Sequence, residues 1–206
     1  MPEEKETGNV SRRAVIMSAA IVPVAAIRSA AAPGATDNAK APALTPDQLK
    51  LVEAFADRLI PKDENGPGAS ECGAANYIDR QLADYLAPER ASFVDGLTAT
   101  NAYAMKSHGR NFVDLTPEMQ DMVLTAIDSG TAEGFANSRA FFTRFRRLTL
   151  EGTFSDPYYG GNKNFAGWDM IGYPGPRLAV GPDEQKMNVT IKPVRMSVWG
   201  GVKDGH

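Results

Sequence analysis

From Leu44 onward, apolar residues recur at three- and four-residue steps, the spacing that places them on one face of a helix. Leu44-Thr-Pro-Asp-Gln48 carries a start signal: Thr45 can cap, Pro46 suits the first turn, and Gln48 completes a capping-box spacing. Leu49, Val52, Phe55, Ala56, Leu59 and Ile60 then form an apolar face, which Pro61 should end. A turn-forming stretch, Lys62 to Ala69, precedes a second helix opening at Ser70 and Glu71, with Ala74, Tyr77, Ile78, Leu82 and Leu86 on its apolar side. Pro88 can start a third helix through Phe93, Leu97 and Ala104 to His108, with Gly109 as its stop. Leu115-Thr-Pro-Glu118 opens a fourth, whose apolar positions are Met119, Met122, Val123 and Ile127. A fifth, roughly 137–150, sets Phe141, Phe145 and Leu148 against Arg139 and Arg146.

Periodicity then stops. Glu151 to Arg177 is rich in glycine, yet Phe154, Tyr158, Tyr159, Phe165, Trp168 and Tyr173 carry too much apolar surface for a solvated linker. Irregular segments of this length are rare inside a domain unless they are functional or disordered, and the rings argue against disorder. Beyond Arg177 an extended tail, 178–206, alternates weakly at 187–191 and 194–199. Pro193 lies between, so only short strands could form, and Trp199 reads as an anchor for a tail lying on another surface. The prediction is an all-α single bundle of about five helices, residues 45–177, with a long irregular loop at 151–177.

Ahead of the bundle, Arg12 and Arg13 precede an apolar, alanine-rich run, Ala14 to Ile27, that falls short of the ~20 residues of a membrane span. Small residues, Ser29 to Ala32, follow. The pattern resembles a twin-arginine export signal at 1–32, with a flexible leader at 33–44. The resemblance implies a chain exported already folded, with the periplasm as its destination.

Charge and motifs narrow the chemistry. With 25 acidic against 22 basic residues, the net charge of −3 gives no support to nucleic-acid binding. No phosphate-cradling glycine motif occurs, and a single cysteine rules out C-x-x-C-H haem attachment. Cys72 is either a small buried filler or a possible intersubunit thiol. Only His108 and His206 could supply imidazole. Glu151, Asp156 and Asp169 lie in or beside the aromatic loop, where a sugar hydrolase would place paired carboxylates; the same residues also suit turn and helix-end roles. The residues predict no catalytic, cofactor or metal site on this chain.

The run Leu148-Thr-Leu-Glu-Gly-Thr-Phe-Ser-Asp-Pro-Tyr-Tyr-Gly-Gly-Asn162, continued by Gly167-Trp-Asp-Met-Ile-Gly-Tyr-Pro-Gly175, resembles the signature of the gluconate 2-dehydrogenase subunit 3 family. Leu59-Ile-Pro-Lys-Asp63, Pro67-Gly-Ala69 and the segment from Glu71 to Asp79 are similar to it as well. The resemblance implies a non-catalytic small subunit of a membrane-associated sugar, polyol or sugar-acid dehydrogenase. Its large partner would be a flavoprotein holding FAD, a multihaem cytochrome with haem c would take the electrons, and the small subunit would escort the flavoprotein through the twin-arginine translocase. On that reading Phe154, Asp156, Pro157, Tyr158, Tyr159, Gly160, Gly161, Asn162, Trp168, Gly172, Tyr173 and Pro174 form the partner interface. Two alternatives stand beside it: a free-standing exported carbohydrate-active enzyme, and a self-contained structural protein with the loop folded into its own core.

Overall fold

The computed structural model describes residues 41–177 and 179–199; the export signal, most of the leader, and the last seven residues of the tail lie outside the described residues. Six α-helices are described: α1 Pro46–Leu59, α2 Ala74–Ala83, α3 Arg90–His108, α4 Pro117–Ser129, α5 Ser138–Phe154 and the short α6 Ala166–Met170. The fold is all-α, as the periodicity predicts, and no strand forms among the described residues.

Local chemistry sets most of the boundaries. At α1, Thr45 accepts from the Gln48 amide at 3.3 Å while the Gln48 side chain accepts from the Thr45 amide at 2.9 Å, a reciprocal capping box. Thr116 caps α4 in one direction, accepting from the Met119 amide at 3.4 Å, with Pro117 next in line. Helix α3 stops where Gly109 turns left-handed, its amide bonded to Met105 O.

Three expectations shift. Helix α2 begins at Ala74 rather than Ser70, because Asp57 on α1 accepts both the Ser70 amide at 2.9 Å and its hydroxyl at 2.6 Å. Glu71 meanwhile accepts from Lys62 and the Gly68 amide, so 70–73 is a turn pinned to α1. On α4 the buried face is Gln120, Val123, Leu124 and Ile127, with Met119 and Met122 exposed. Gln120 can sit inside because its side-chain amide donates to Phe112 O at 3.0 Å. Helix α5 runs four residues past Leu150, and the tail crosses the loop without forming strands.

Phenylalanines fill the core. Phe145 on α5 stacks on Phe55 of α1 with ring centroids 3.8 Å apart, and its other neighbour Phe93 of α3 lies nearly parallel at 5.7 Å. Phe112 and Phe141 close the cluster. At the rim, Arg58 of α1 grips Asp121 of α4 through two 2.7 Å hydrogen bonds. The most extensive pairing is α2 on α5, and Gly152 permits it: a Cβ there would stand 2.8 Å from Ala74 Cα. This pairing fixes the end of α5, and with it the base of the loop.

Phe145→Ala should cost about 3–5 kcal/mol, since it removes the ring shared by three helices and leaves a cavity. Arg58→Ala, at a half-exposed ion pair, should stay within about 1 kcal/mol. Guanidinium denaturation of both variants checks the contrast.

A candidate docking face on the loop after α5

Helix α5 ends at Phe154 and the chain turns at once. Asp156 accepts from the Tyr158 amide at 2.9 Å, which with Pro157 sets a single 3₁₀ turn, Pro157–Tyr159. Gly161 then presses onto the end of α5, so closely that a Cβ would collide with Gly152 O. That contact lets the next amide, of Asn162, donate to Gly152 O at 2.7 Å.

Asn162 is fully buried and left-handed, with φ 44°. Its Oδ1 accepts from the Gly167 amide at 2.9 Å and the Trp168 amide at 3.3 Å, while Nδ2 donates to Ser155 O at 2.8 Å. One side chain thus joins the end of α5 to the start of α6. Two further bonds seal the loop to α2: the Lys163 amide to Cys72 O at 2.8 Å, and Asn76 Nδ2 to Gly160 O at 2.6 Å.

The rings divide into two sets. Phe165 and Trp168 face inward with centroids 5.3 Å apart, and the Trp168 indole donates to Phe154 O at 2.9 Å. Tyr158, Tyr159 and Tyr173 stay about 40% exposed. Tyr158 and Tyr159 meet edge to face at 5.4 Å, and Tyr173 stands edge-on to Trp168 at 4.9 Å.

Of the twelve expected interface positions, Pro157, Gly161, Asn162 and Trp168 are buried in the chain's own body. Phe154, Asp156, Gly160 and Pro174 are half-buried, and Tyr158, Tyr159, Gly172 and Tyr173 are exposed. The loop therefore buries Phe165 and Trp168 against the chain's own body, as the self-contained alternative expects, and leaves its three tyrosines partly exposed. What it offers outward is a tyrosine face on a rigid base.

The carboxylates are each held by donors. Glu151 accepts from the Tyr77 hydroxyl at 3.0 Å and from Arg147 at 3.0 Å. Burial, with that hydrogen bond to Glu151, pushes the Tyr77 phenol well above its ordinary range. Asp156 accepts from the Tyr158 amide and, at 2.9 Å, from the Val198 amide of the tail. Asp169 pairs with Arg195 at 2.7 Å. No two of the three share a donor: Asp156 sets the turn at 157–159, Glu151 holds Tyr77 and Arg147 from inside the last turn of α5, and Asp169 sits in an ion pair. His108 sits at the last position of α3, away from this group in the chain's layout.

Cys72 is completely buried, and burial, with smaller contributions from Glu71 and Asp57, pushes its thiol up to about 11. That burial fits the small-filler reading of Cys72.

The tail residues that bond the loop through Asp169, Asn164 and Asp156, Arg195 and Val198, carry no local sequence signal, since those partners lie 26 or more positions away. Elsewhere, Arg139, Arg144 and Arg147 of α5, with Thr143, line a shallow groove of about 670 Å³. Arg139 there donates to the last carbonyls of α4, and Arg144 pairs with Glu89. Among the described residues no helix is long and apolar enough to cross a membrane, and no group of three or more His, Cys, Asp or Glu could hold a metal ion.

A family model described as gluconate 2-dehydrogenase subunit 3 matches residues 46–175, more than half of the chain and all of the six helices. No curated protein matches the chain, and no solved structure does.

Two outcomes follow from the geometry. Asn162→Ala leaves two buried amides and a carbonyl without partners, so it should destabilise the fold by roughly 2–4 kcal/mol and speed hydrogen exchange at Gly167 and Trp168. Cys72 should resist thiol reagents at pH 8 and react at the rate of unfolding, because its thiolate is scarce in the folded state. The sign of the linked pH effect follows from the raised value: the contribution is full below the ordinary pKa of 9 and declines as pH rises toward about 11.

Proposed function

Since the chain belongs to the gluconate 2-dehydrogenase subunit 3 family, and so to the small subunits of multi-subunit dehydrogenase complexes, we propose that it is the non-catalytic escort of a periplasmic FAD-dependent sugar, polyol or sugar-acid dehydrogenase. It binds the flavoprotein subunit and carries it, folded, through the twin-arginine translocase. Electrons from the flavin would leave through a multihaem c-type cytochrome, and the complex would hold the small subunit at the membrane.

One observation carries the binding part of this reading. Three tyrosines, Tyr158, Tyr159 and Tyr173, stand half out of a loop whose backbone is locked to the body through Asn162. Rigid aromatic rings on a pre-ordered base lose little entropy on docking, which is what an interface anchor needs. The chemistry of the chain supports the non-catalytic part. Glu151, Asp156 and Asp169 are each engaged by structural donors. A c-type haem needs two thiols in a C-x-x-C-H run, and the single cysteine is buried. FAD and haem c therefore belong to partner chains on this reading.

The export part rests on Arg12 and Arg13. Replacing both, Arg12→Lys with Arg13→Lys, should leave the flavoprotein in the cytoplasm of cells expressing both chains; unchanged periplasmic flavin content would refute the escort role. Separately, Tyr158→Ala with Tyr159→Ala should weaken co-purification of the yellow flavoprotein at least tenfold, as loss of two anchor rings does. A purified small subunit that turns over sugar alone would overturn the non-catalytic assignment.

A further inference from the structure

The tail does more than trail away. Arg177 pairs with Glu184 and donates to Lys192 O at 2.8 Å, folding 179–192 back on itself. The Val194 amide then donates to Pro174 O at 2.7 Å, and Gly175 passes so close that a Cβ would collide with Val194 O. From there the chain runs across the loop. Arg195 bonds Asp169 Oδ2 at 2.7 Å and Asn164 O at 3.2 Å, Ser197 is buried, the Val198 amide donates to Asp156 Oδ2 at 2.9 Å, and Trp199 lies on Tyr158 with centroids 5.7 Å apart.

We propose that the loop face formed by Asp156, Tyr158 and Asp169 is a binding site for an extended peptide segment with a basic residue four positions ahead of an aromatic one, and that residues 192–199 are its ligand in cis. The two carboxylates and the ring accept three unlike groups of the strap: a guanidinium, a backbone amide and an indole. Main-chain and side-chain contacts at alternate positions are how grooves recognise extended peptides.

The hold is of a kind that exchanges. Arg195 and Asp169 are about half exposed, at 54% and 43%, and Trp199 is 56% exposed, so the ion pair is screened by salt and the stack is one-sided. Contrast the fully buried Asn162 beneath it. A tethered strap sees its site at an effective concentration on the order of millimolar, so weak contacts suffice to close it. A partner that presents the same chemistry while docked elsewhere gains a similar advantage and can take its place. This goes beyond the escort reading and does not depend on it.

The experiment uses the full chain. In Arg195→Glu/Trp199→Ala the strap loses both side-chain anchors and repels Asp169, which frees the site. A labelled peptide of residues 190–199, Thr-Ile-Lys-Pro-Val-Arg-Met-Ser-Val-Trp, is titrated into this variant and into the unaltered chain. Saturable binding to the variant, weakened by salt and about two- to fivefold by a further Asp169→Asn, is expected. The unaltered chain should bind at least tenfold more weakly, its site being filled in cis. Equal binding to both chains, or none to a variant whose helical circular dichroism is unchanged, overturns the proposal. Should the double variant misfold, Arg195→Ala alone serves. Its Val194 and Val198 amides should exchange at least tenfold faster with Asn162 unaffected, and unchanged exchange there overturns the proposal equally.

Discussion

The buried amide of Asn162 reaches three backbone groups in two places: the carbonyl that ends α5 and the two amides that start α6. The two amides are buried and each needs a protein partner, and a single side chain supplies all three bonds. The backbone of the same residue closes onto Gly152 O, and its successor onto Cys72 O. Helix α5, helix α2 and the loop therefore share one polar joint under an apolar lid of Phe165 and Trp168. A loop with this much glycine would be mobile without that joint; with it, glycine serves close approach instead of freedom.

The phenylalanine stack and this joint divide the work of the fold. Phe55, Phe93 and Phe145 bind α1, α3 and α5 through non-directional burial, which tolerates small shifts. Directional bonds at Asn162 tolerate none. The first set makes the bundle stable, while the second makes one stretch of its surface reproducible in shape. A tyrosine face of constant shape is what a partner needs, and family membership supplies the expectation that a partner exists.

Features with local causes were legible in the sequence. Thr45 with Gln48, Thr116 with Pro117, and Gly109 each act within one turn of chain, and each helix end is where those residues place it. Features with distant causes were not. Ser70 looks like a helix start until Asp57, thirteen positions earlier, takes both its donors. Met119 and Met122 look like core until Gln120 finds Phe112 O and turns α4 about its axis. The aromatic loop announced a need for burial, yet which rings turn inward depends on a three-way bond at Asn162 that spacing alone does not encode. The strap lay furthest from view, since Arg195 and Asp169 stand 26 residues apart.

Stability in this molecule is graded across the loop, and the grading has functional direction. Beneath the tyrosines, Asn162, Phe165 and Trp168 are buried, so opening that joint means unfolding the end of α5. Above them, the strap's side-chain anchors are half-exposed charges and a one-sided stack, which local fluctuation can release without touching the body. An encounter at this face would thus meet a surface whose cover can leave while its shape stays. Recognition arranged in that way separates two costs that usually come together: ordering the site, already done during folding, and clearing it, done at the moment of contact.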